Sequence, residues 1–169
     1  KKHHWKIKRE WIGFVAGIVP GLAHCIHAFT APGDKILIQP PVYPPFHHLV
    51  ENNGRRLVLN PLELVNGQFR MNLEDLEEKL KSGCRMMILC NPHNPGGRVW
   101  TPEELTRVAR LCKKYHTLVI SDEIHADLTL WKHVHTPFGS VSKDARDRCV
   151  MLMAPSKTFN MAGIHASFF

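Results

Sequence analysis

Cys149-Val150-Met151-Leu152-Met153-Ala154-Pro155-Ser156-Lys157-Thr158-Phe159-Asn160 is an apolar run that stops in a polar turn, and the turn holds a lysine. The same pattern occurs twice upstream. Leu118-Val119-Ile120 runs into Ser121-Asp122-Glu123, and Met86-Met87-Ile88-Leu89-Cys90 runs into Asn91-Pro92-His93-Asn94-Pro95-Gly96-Gly97. Short unbroken apolar runs bounded by turn residues read as buried strands. Three strands therefore deliver a lysine, a carboxylate and an asparagine at their carboxyl ends, the edge at which open α/β sheets bind ligands.

Outward from these runs, helix-like stretches separate the strands. Thr101-Pro102-Glu103-Glu104 opens one: Thr101 can cap, Pro102 needs no partner at the first helical position, and Glu104 completes a capping box. Leu105, Val108, Ala109 and Cys112 then share one face at helical spacing. Asn72-Leu73-Glu74-Asp75 opens another helix, which runs to Lys81 with Gly83 beyond its end. Residues 11–16 lead into a Gly17-Ile18-Val19-Pro20-Gly21 turn, and residues 21–30 read as a helix closed by Pro32-Gly33. Residues 35–39 form a strand, 44–53 a helix ending at Gly54, and 56–60 a further strand, with 118–120 and 150–153 the last two. Alternating strands and helices predict βαβ units, hence an α/β fold with a mostly parallel central sheet. No repeat or linker divides the chain.

The 169 residues are about one domain in length, and a hydrophobic fraction of 44% is enough for a buried core. The net charge of +7, from 22 basic and 15 acidic residues, includes the cluster Lys1, Lys2, Lys6, Lys8 and Arg9. It forms no aromatic-interleaved stripe, so it reads as a solvated face and not as a nucleic-acid footprint. The five cysteines are odd in number and contain no CxxC. Cys84, Cys90 and Cys149 fall in strand-like runs, Cys25 and Cys112 in helix-like ones, as expected for buried free thiols in a reducing cytoplasm. Neither a signal-peptide pattern nor a membrane-length apolar run is present. Of twelve histidines none has zinc-ligand spacing, and His3-His4, His47-His48 and the His133/His135 pair read as surface groups. The first residue is not Met and the apolar Ala166-Ser167-Phe168-Phe169 reads as a strand cut in mid-run, so a piece of a larger protein is expected.

A lysine amine, an acidic partner for a pyridine nitrogen and a polar donor are what a pyridoxal-phosphate (PLP) site requires. Lys157 alone would be an ordinary surface charge; its place after a strand and before Asn160-Met161-Ala162-Gly163 makes it a candidate nucleophile and base. Asp122 alone would be a strand-end cap, but beside a ring nitrogen it would hold that nitrogen protonated. Glu123 should point to the opposite side of the strand. Asn94 is either a turn residue or a donor to the ring's phenolic oxygen. Tyr43, in Pro40-Pro41-Val42-Tyr43-Pro44-Pro45, is either a core-edge tyrosine or a stacking surface for a flat ring. The Gly17-Ile18-Val19 turn, before a helix from Pro20, would expose amides suited to a phosphate.

Arg9-Glu10-Trp11-Ile12, Gly17-Ile18-Val19-Pro20-Gly21-Leu22, Pro41-Val42-Tyr43, Asn91-Pro92-His93-Asn94-Pro95, Ser121-Asp122-Glu123-Ile124-His125 and Ser156-Lys157-Thr158-Phe159-Asn160-Met161-Ala162-Gly163 run through the whole chain in this order. Together they resemble the large domain of fold-type I PLP enzymes, the aspartate-aminotransferase-like superfamily, and within it the MalY/PatB-type C–S lyases. The resemblance implies a three-layer PLP-binding large domain over residues 1–169, incomplete, with an N-terminal segment and a C-terminal small domain outside it. It implies that Lys157 carries the cofactor, Asp122 pairs with the pyridine nitrogen and Asn94 binds the ring oxygen. Tyr43 and Ile124 would cover the two ring faces, and the amides of Ile18 and Val19 would bind phosphate. His125 stands where aminotransferases commonly have a tyrosine, which favours the lyase branch. Three positions depart from the pattern: Gly96 where a threonine is usual, Ala154 where a phosphate-binding serine is common (with Ser156 as a substitute), and His165 near the place of a phosphate-binding arginine. The implied activity is α,β-elimination from cystathionine or another cysteine S-conjugate, by a homodimer with no nucleic-acid or membrane partner and no metal. Two alternatives stay open at this point, a PLP-dependent aminotransferase and a regulatory protein that retains the PLP fold.

Overall fold

The structure, a computed structural model, describes residues 5–169; Lys1, Lys2, His3 and His4 lie outside the described residues. In chain order the elements are β1 (Phe14–Val15), α1 (Ile18–Phe29), β2 (Lys35–Ile38), α2 (Pro45–Asn52), β3 (Arg56–Leu59), β4 (Leu62–Val65), β5 (Gln68–Met71), α3 (Leu73–Lys81), β6 (Cys84–Cys90), α4 (Pro102–Lys114), β7 (Leu118–Asp122), α5 (Lys143–Asp147), β8 (Cys149–Leu152), α6 (Pro155–Thr158) and β9 (Ser167–Phe168), with short 3-10 turns at Arg9–Trp11 and Phe138–Ser140.

Five strands form one sheet in the order β3-β2-β6-β7-β8, every neighbouring pair parallel. The chain steps from β2 outward to β3, then crosses back over β2 to β6 and proceeds the other way. The order therefore reverses between β2 and β6, the switch point at which doubly wound sheets open a ligand crevice. Beyond β8 the short β9 pairs antiparallel with β1 and is joined to the sheet by an antiparallel bridge from Phe168 to Met153.

The two faces of the strands feed two cores, as the two-residue period requires. Ile36, Ile38, Met86, Ile88 and Ile120 pack under α1 and α2 through Leu22, Ile26, Phe46 and Val50. Leu37, Met87, Leu89 and Val119 pack on the other face under α3 and α4 through Leu76, Leu80, Leu105, Val108 and Cys112. Burial on both faces is what makes these strands continuous apolar runs. Cys25, Cys84, Cys90 and Cys112 are buried free thiols, and Cys149 is half-buried. Among the described residues no helix is long and apolar enough to cross a membrane.

Several boundaries differ from the sequence-based expectation, each for a local reason. Helix α1 begins at Ile18, not at residue 20 or 21. Pro20 falls in its first turn, where amides have no helical partner, so no hydrogen bond is lost. Gly17 caps this helix at φ 119°, a backbone conformation that side chains rarely adopt. At Gly21 a β-carbon would lie 3.1 Å from Leu152 and 3.2 Å from Val15, so its absence lets α1 press onto the sheet. The hairpin β4–β5 was not foreseen, although Asn66-Gly67 signals it: both residues have positive φ, 51° and 75°, in a two-residue turn between Val65 and Gln68. Helix α5, capped by Ser142 accepting from the Ala145 amide at 3.0 Å, was likewise missed. Strand β7 continues through Asp122, and Lys157 sits in the helical turn α6 where an open turn was expected. His135 is a further correction. It is only 4% exposed and is no surface group, whereas His133 and His48 are exposed and His47 is half-buried.

Candidate active site

The carboxyl ends of the strands enclose a cleft of about 440 Å³, which gathers residues from six separate segments of the chain. Ile18 and Val19 enter from the start of α1, Tyr43 from the β2–α2 loop and Asn94 from the loop after β6. Asp122, Ile124 and His125 come from the end of β7, and Ser156 and Lys157 from α6. Every site residue named from the sequence thus lines one cavity. Cys90, Ile164 and Ala166 line it too and were not foreseen. Cys90 had one signal: it ends β6 on the same face as Met86 and Ile88, the face that meets the cleft.

Asp122 is the electrostatic centre of the cleft. It is 5% exposed, and its Oδ1 accepts a 3.2 Å hydrogen bond from the Ile124 amide. Burial pushes its carboxyl from the ordinary 3.8 up to about 7; the Ile124 amide pulls weakly the other way and the charge of Glu123 adds to the rise. Among the described residues no Lys, Arg or His forms an ion pair with it. A buried carboxyl of this kind is suited to a cation presented by a ligand.

Glu123 shows why two adjacent acids behave differently. Alternation along the strand turns it away from the cleft, and it is fully buried. Its carboxylate accepts from Ser121 Oγ at 2.8 Å and the Phe138 amide at 2.9 Å, and lies 2.7 Å from His135 Nε2. It is a structural acid that ties the 124–138 segment to the sheet.

Lys157 is exposed on α6, whose first helical position is Pro155. The Phe159 amide donates to Pro155 and the Met161 amide to Ser156, and Asn160 at φ 53° turns the chain away. Thr158 Oγ1 donates to Asp127 at 3.3 Å, hooking α6 to the turn that follows β7. His125 stands in that turn, half-buried. Desolvation, and secondly the charge of Lys157, hold its imidazole below the usual histidine range.

The remaining residues frame the cleft. Tyr43 is 38% exposed and its ring meets Phe46 edge-on at 6.0 Å. The amide of Asn94 donates to Cys90 Sγ at 3.2 Å, and burial pushes that thiol up to about 12, so it stays protonated. The three departures also have structural settings. Ala154 is buried in the core at the cap of α6, while Ser156, two residues on, lines the cleft. His165 lines the cleft as well. At Gly96 a β-carbon would lie 2.7 Å from the Phe69 ring and 2.9 Å from His93 Nδ1, so the missing side chain is excluded by packing. Among the described residues no cluster of three metal-ligating side chains exists.

Comparison with known proteins identifies the family and the fold. The family model for class I and II aminotransferases matches residues 1–168. Over 167 residues the chain is 50% identical to cystathionine beta-lyase PatB of Bacillus subtilis, which covers 98% of the chain and 43% of that protein. Cystalysin from Treponema denticola, solved with a pyridoxal 5'-phosphate cofactor, superposes with a TM-score of 0.96 at 36% identity, over 99% of this chain and 43% of its own. The PLP-bound C-S lyase from Staphylococcus hominis superposes with a TM-score of 0.95 at 33% identity, over 99% of this chain and 44% of its own. The chain therefore spans less than half the length of these relatives.

Proposed function

The chain belongs to the aminotransferase class I and II family, and we propose that residues 1–169 are the PLP-binding large domain, incomplete, of a C–S lyase. The reaction is α,β-elimination from cystathionine or a related cysteine S-conjugate, giving a thiol, pyruvate and ammonia. The observation that carries the reading is the convergence of Lys157, Asn94 and the buried, unpaired carboxyl of Asp122 on one cleft. The likeness to PatB and to two C–S-cleaving or PLP-bound structures supports it.

The residues present fit PLP group by group. The carboxyl of Asp122, raised by burial, takes a protonated pyridine nitrogen and keeps it protonated. The Asn94 side chain donates to the ring oxygen. Tyr43 and Ile124, which both line the cleft, would cover the ring and keep water from the reacting atoms. The first-turn amides at Ile18 and Val19, having no helical partner, take the phosphate together with the Ser156 hydroxyl. The bound cofactor supplies an electron sink for the pair left on Cα when its proton is removed. Lys157 Nζ would hold the cofactor and would take the Cα proton of the substrate. A second copy of the chain completes the enzyme as a homodimer.

The deciding test is pyruvate release from cystathionine by the full-length protein with PLP and no keto acid. Sustained release that ends in Lys157→Ala is expected. A strict requirement for a keto acid would show transamination instead, and release that survives Lys157→Ala would refute the assignment.

A further inference from the structure

A second cavity, of about 530 Å³, adjoins the first. It opens between the 92–99 loop, the hairpin tip at Gly67 and Gln68, and the segment 128–133. Among the described residues only Asn94 and His125 line both cavities, so these two side chains form the partition. Lys157, Tyr43 and His165 line the first alone; His93 and His133 line the second alone. Of the two partition residues, only the imidazole can give and take a proton.

We propose that His125 protonates the departing sulfur, while the sulfur-linked half of the substrate extends past it into the second cavity. This assignment rests on the elimination reading above. An alkyl thiolate leaves poorly unless it gains a proton as the C–S bond breaks, so the site needs a general acid beside Cβ. His125 suits the task. Desolvation and, secondly, the Lys157 charge hold its imidazole below the usual histidine range, and the ring has one nitrogen to give a proton and one to receive it. The Thr158–Asp127 hydrogen bond fixes the helical turn of Lys157 against the turn of His125.

The proton count closes. The Cα–H bond breaks and its proton goes to Lys157 Nζ, while the bonding pair ends as the Cα–Cβ double bond. The Cβ–S bond breaks with its pair on sulfur, and the His125 N–H proton joins that pair as the new S–H bond. Lys157 passes its proton to the other ring nitrogen in the same step, so no imidazolate is left and both side chains finish as they began. Asp122 takes no part, since it is committed to the buried end of the cleft.

The test uses the full-length holoenzyme, His125→Gln and His125→Asn, with L-cystathionine and β-chloro-L-alanine, whose chloride leaves without a proton. In both variants kcat/KM on cystathionine should fall about 10²-fold, the usual contribution of a general acid. The loss on β-chloroalanine should be much smaller than the loss on cystathionine, and the turnover that remains shows that the variants fold. Cofactor affinity, from absorbance titration of the apoprotein, separates any change in cofactor binding from the loss on the sulfur substrate. Equal losses on both substrates, no loss on cystathionine, or a weakened cofactor affinity that accounts for the loss would each overturn the role of His125 alone. Pyruvate from neither substrate with the unsubstituted protein would overturn the elimination reading, and this assignment with it.

Discussion

Asp122 shows how one residue's environment decides its use. Because burial lifts its carboxyl from 3.8 to about 7, the folded, cofactor-free protein binds a proton that the unfolded chain releases across that interval. Stability then falls as pH rises through the window from about 4 to about 7, since the native state holds more protons there. Asp122→Asn removes the group that titrates. The cofactor-free full-length protein should therefore lose roughly 3 kcal/mol relative to Asp122→Asn between the two ends of the window. Urea midpoints across the pH range measure the difference, and parallel curves for the two proteins would count against a buried, unpaired Asp122. The residue was legible in the sequence because it ends an apolar strand. Its burial was not, since that depends on the loops that close over the strand end.

At the scale of elements, what could be read was what local chemistry specifies. The capping box at Thr101 forms as its residues require, with the Thr101 amide donating to Glu104 at 2.8 Å and the Glu104 amide to Thr101 Oγ1 at 3.2 Å. Asn72 caps α3 by accepting from the Asp75 amide. The hairpin β4–β5 escaped because its strands are short and largely exposed, so they lack the apolar run that marked the others. That hairpin nevertheless shapes the site. Phe69 of β5 packs over the loop after β6, and His93, edge-on to Trp100 at 5.6 Å, holds the same loop by accepting from the Gly96 amide at 3.3 Å. Gly96→Thr should overpack this contact at about 1–3 kcal/mol and weaken cofactor binding through Asn94. Adding Phe69→Ala should recover part of the loss. A double-mutant cycle in urea reads the coupling, and strictly additive effects would remove the packing explanation.

Across the whole molecule, the parallel sheet and the position of the cleft followed from the order of strands and turns. What stayed hidden were contacts between residues far apart in the chain. His135 is the clearest case: nothing around Val134-His135-Thr136 marks it as interior, and it is buried where Glu123 meets it across the 124–138 segment. The pair does more than fill space. Glu123 follows Asp122 directly, so the hydrogen bonds it receives from Ser121, His135 and the Phe138 amide set the direction in which the end of β7 presents Asp122 and His125 to the cleft. Removing one partner of a buried hydrogen bond costs about 1–3 kcal/mol, because the remaining group keeps its desolvation penalty. His135→Ala should accordingly lower the stability of the full-length protein by about 1–3 kcal/mol and raise hydrogen exchange at the amides of residues 124–128. Glu123→Leu combined with His135→Leu should recover at most part of that stability, because the buried Phe138 amide and Ser121 hydroxyl then lose their acceptor, and should leave exchange in that turn elevated. If His135→Ala left both the urea midpoint and the exchange unchanged, the buried pair would have no part in holding the catalytic turn.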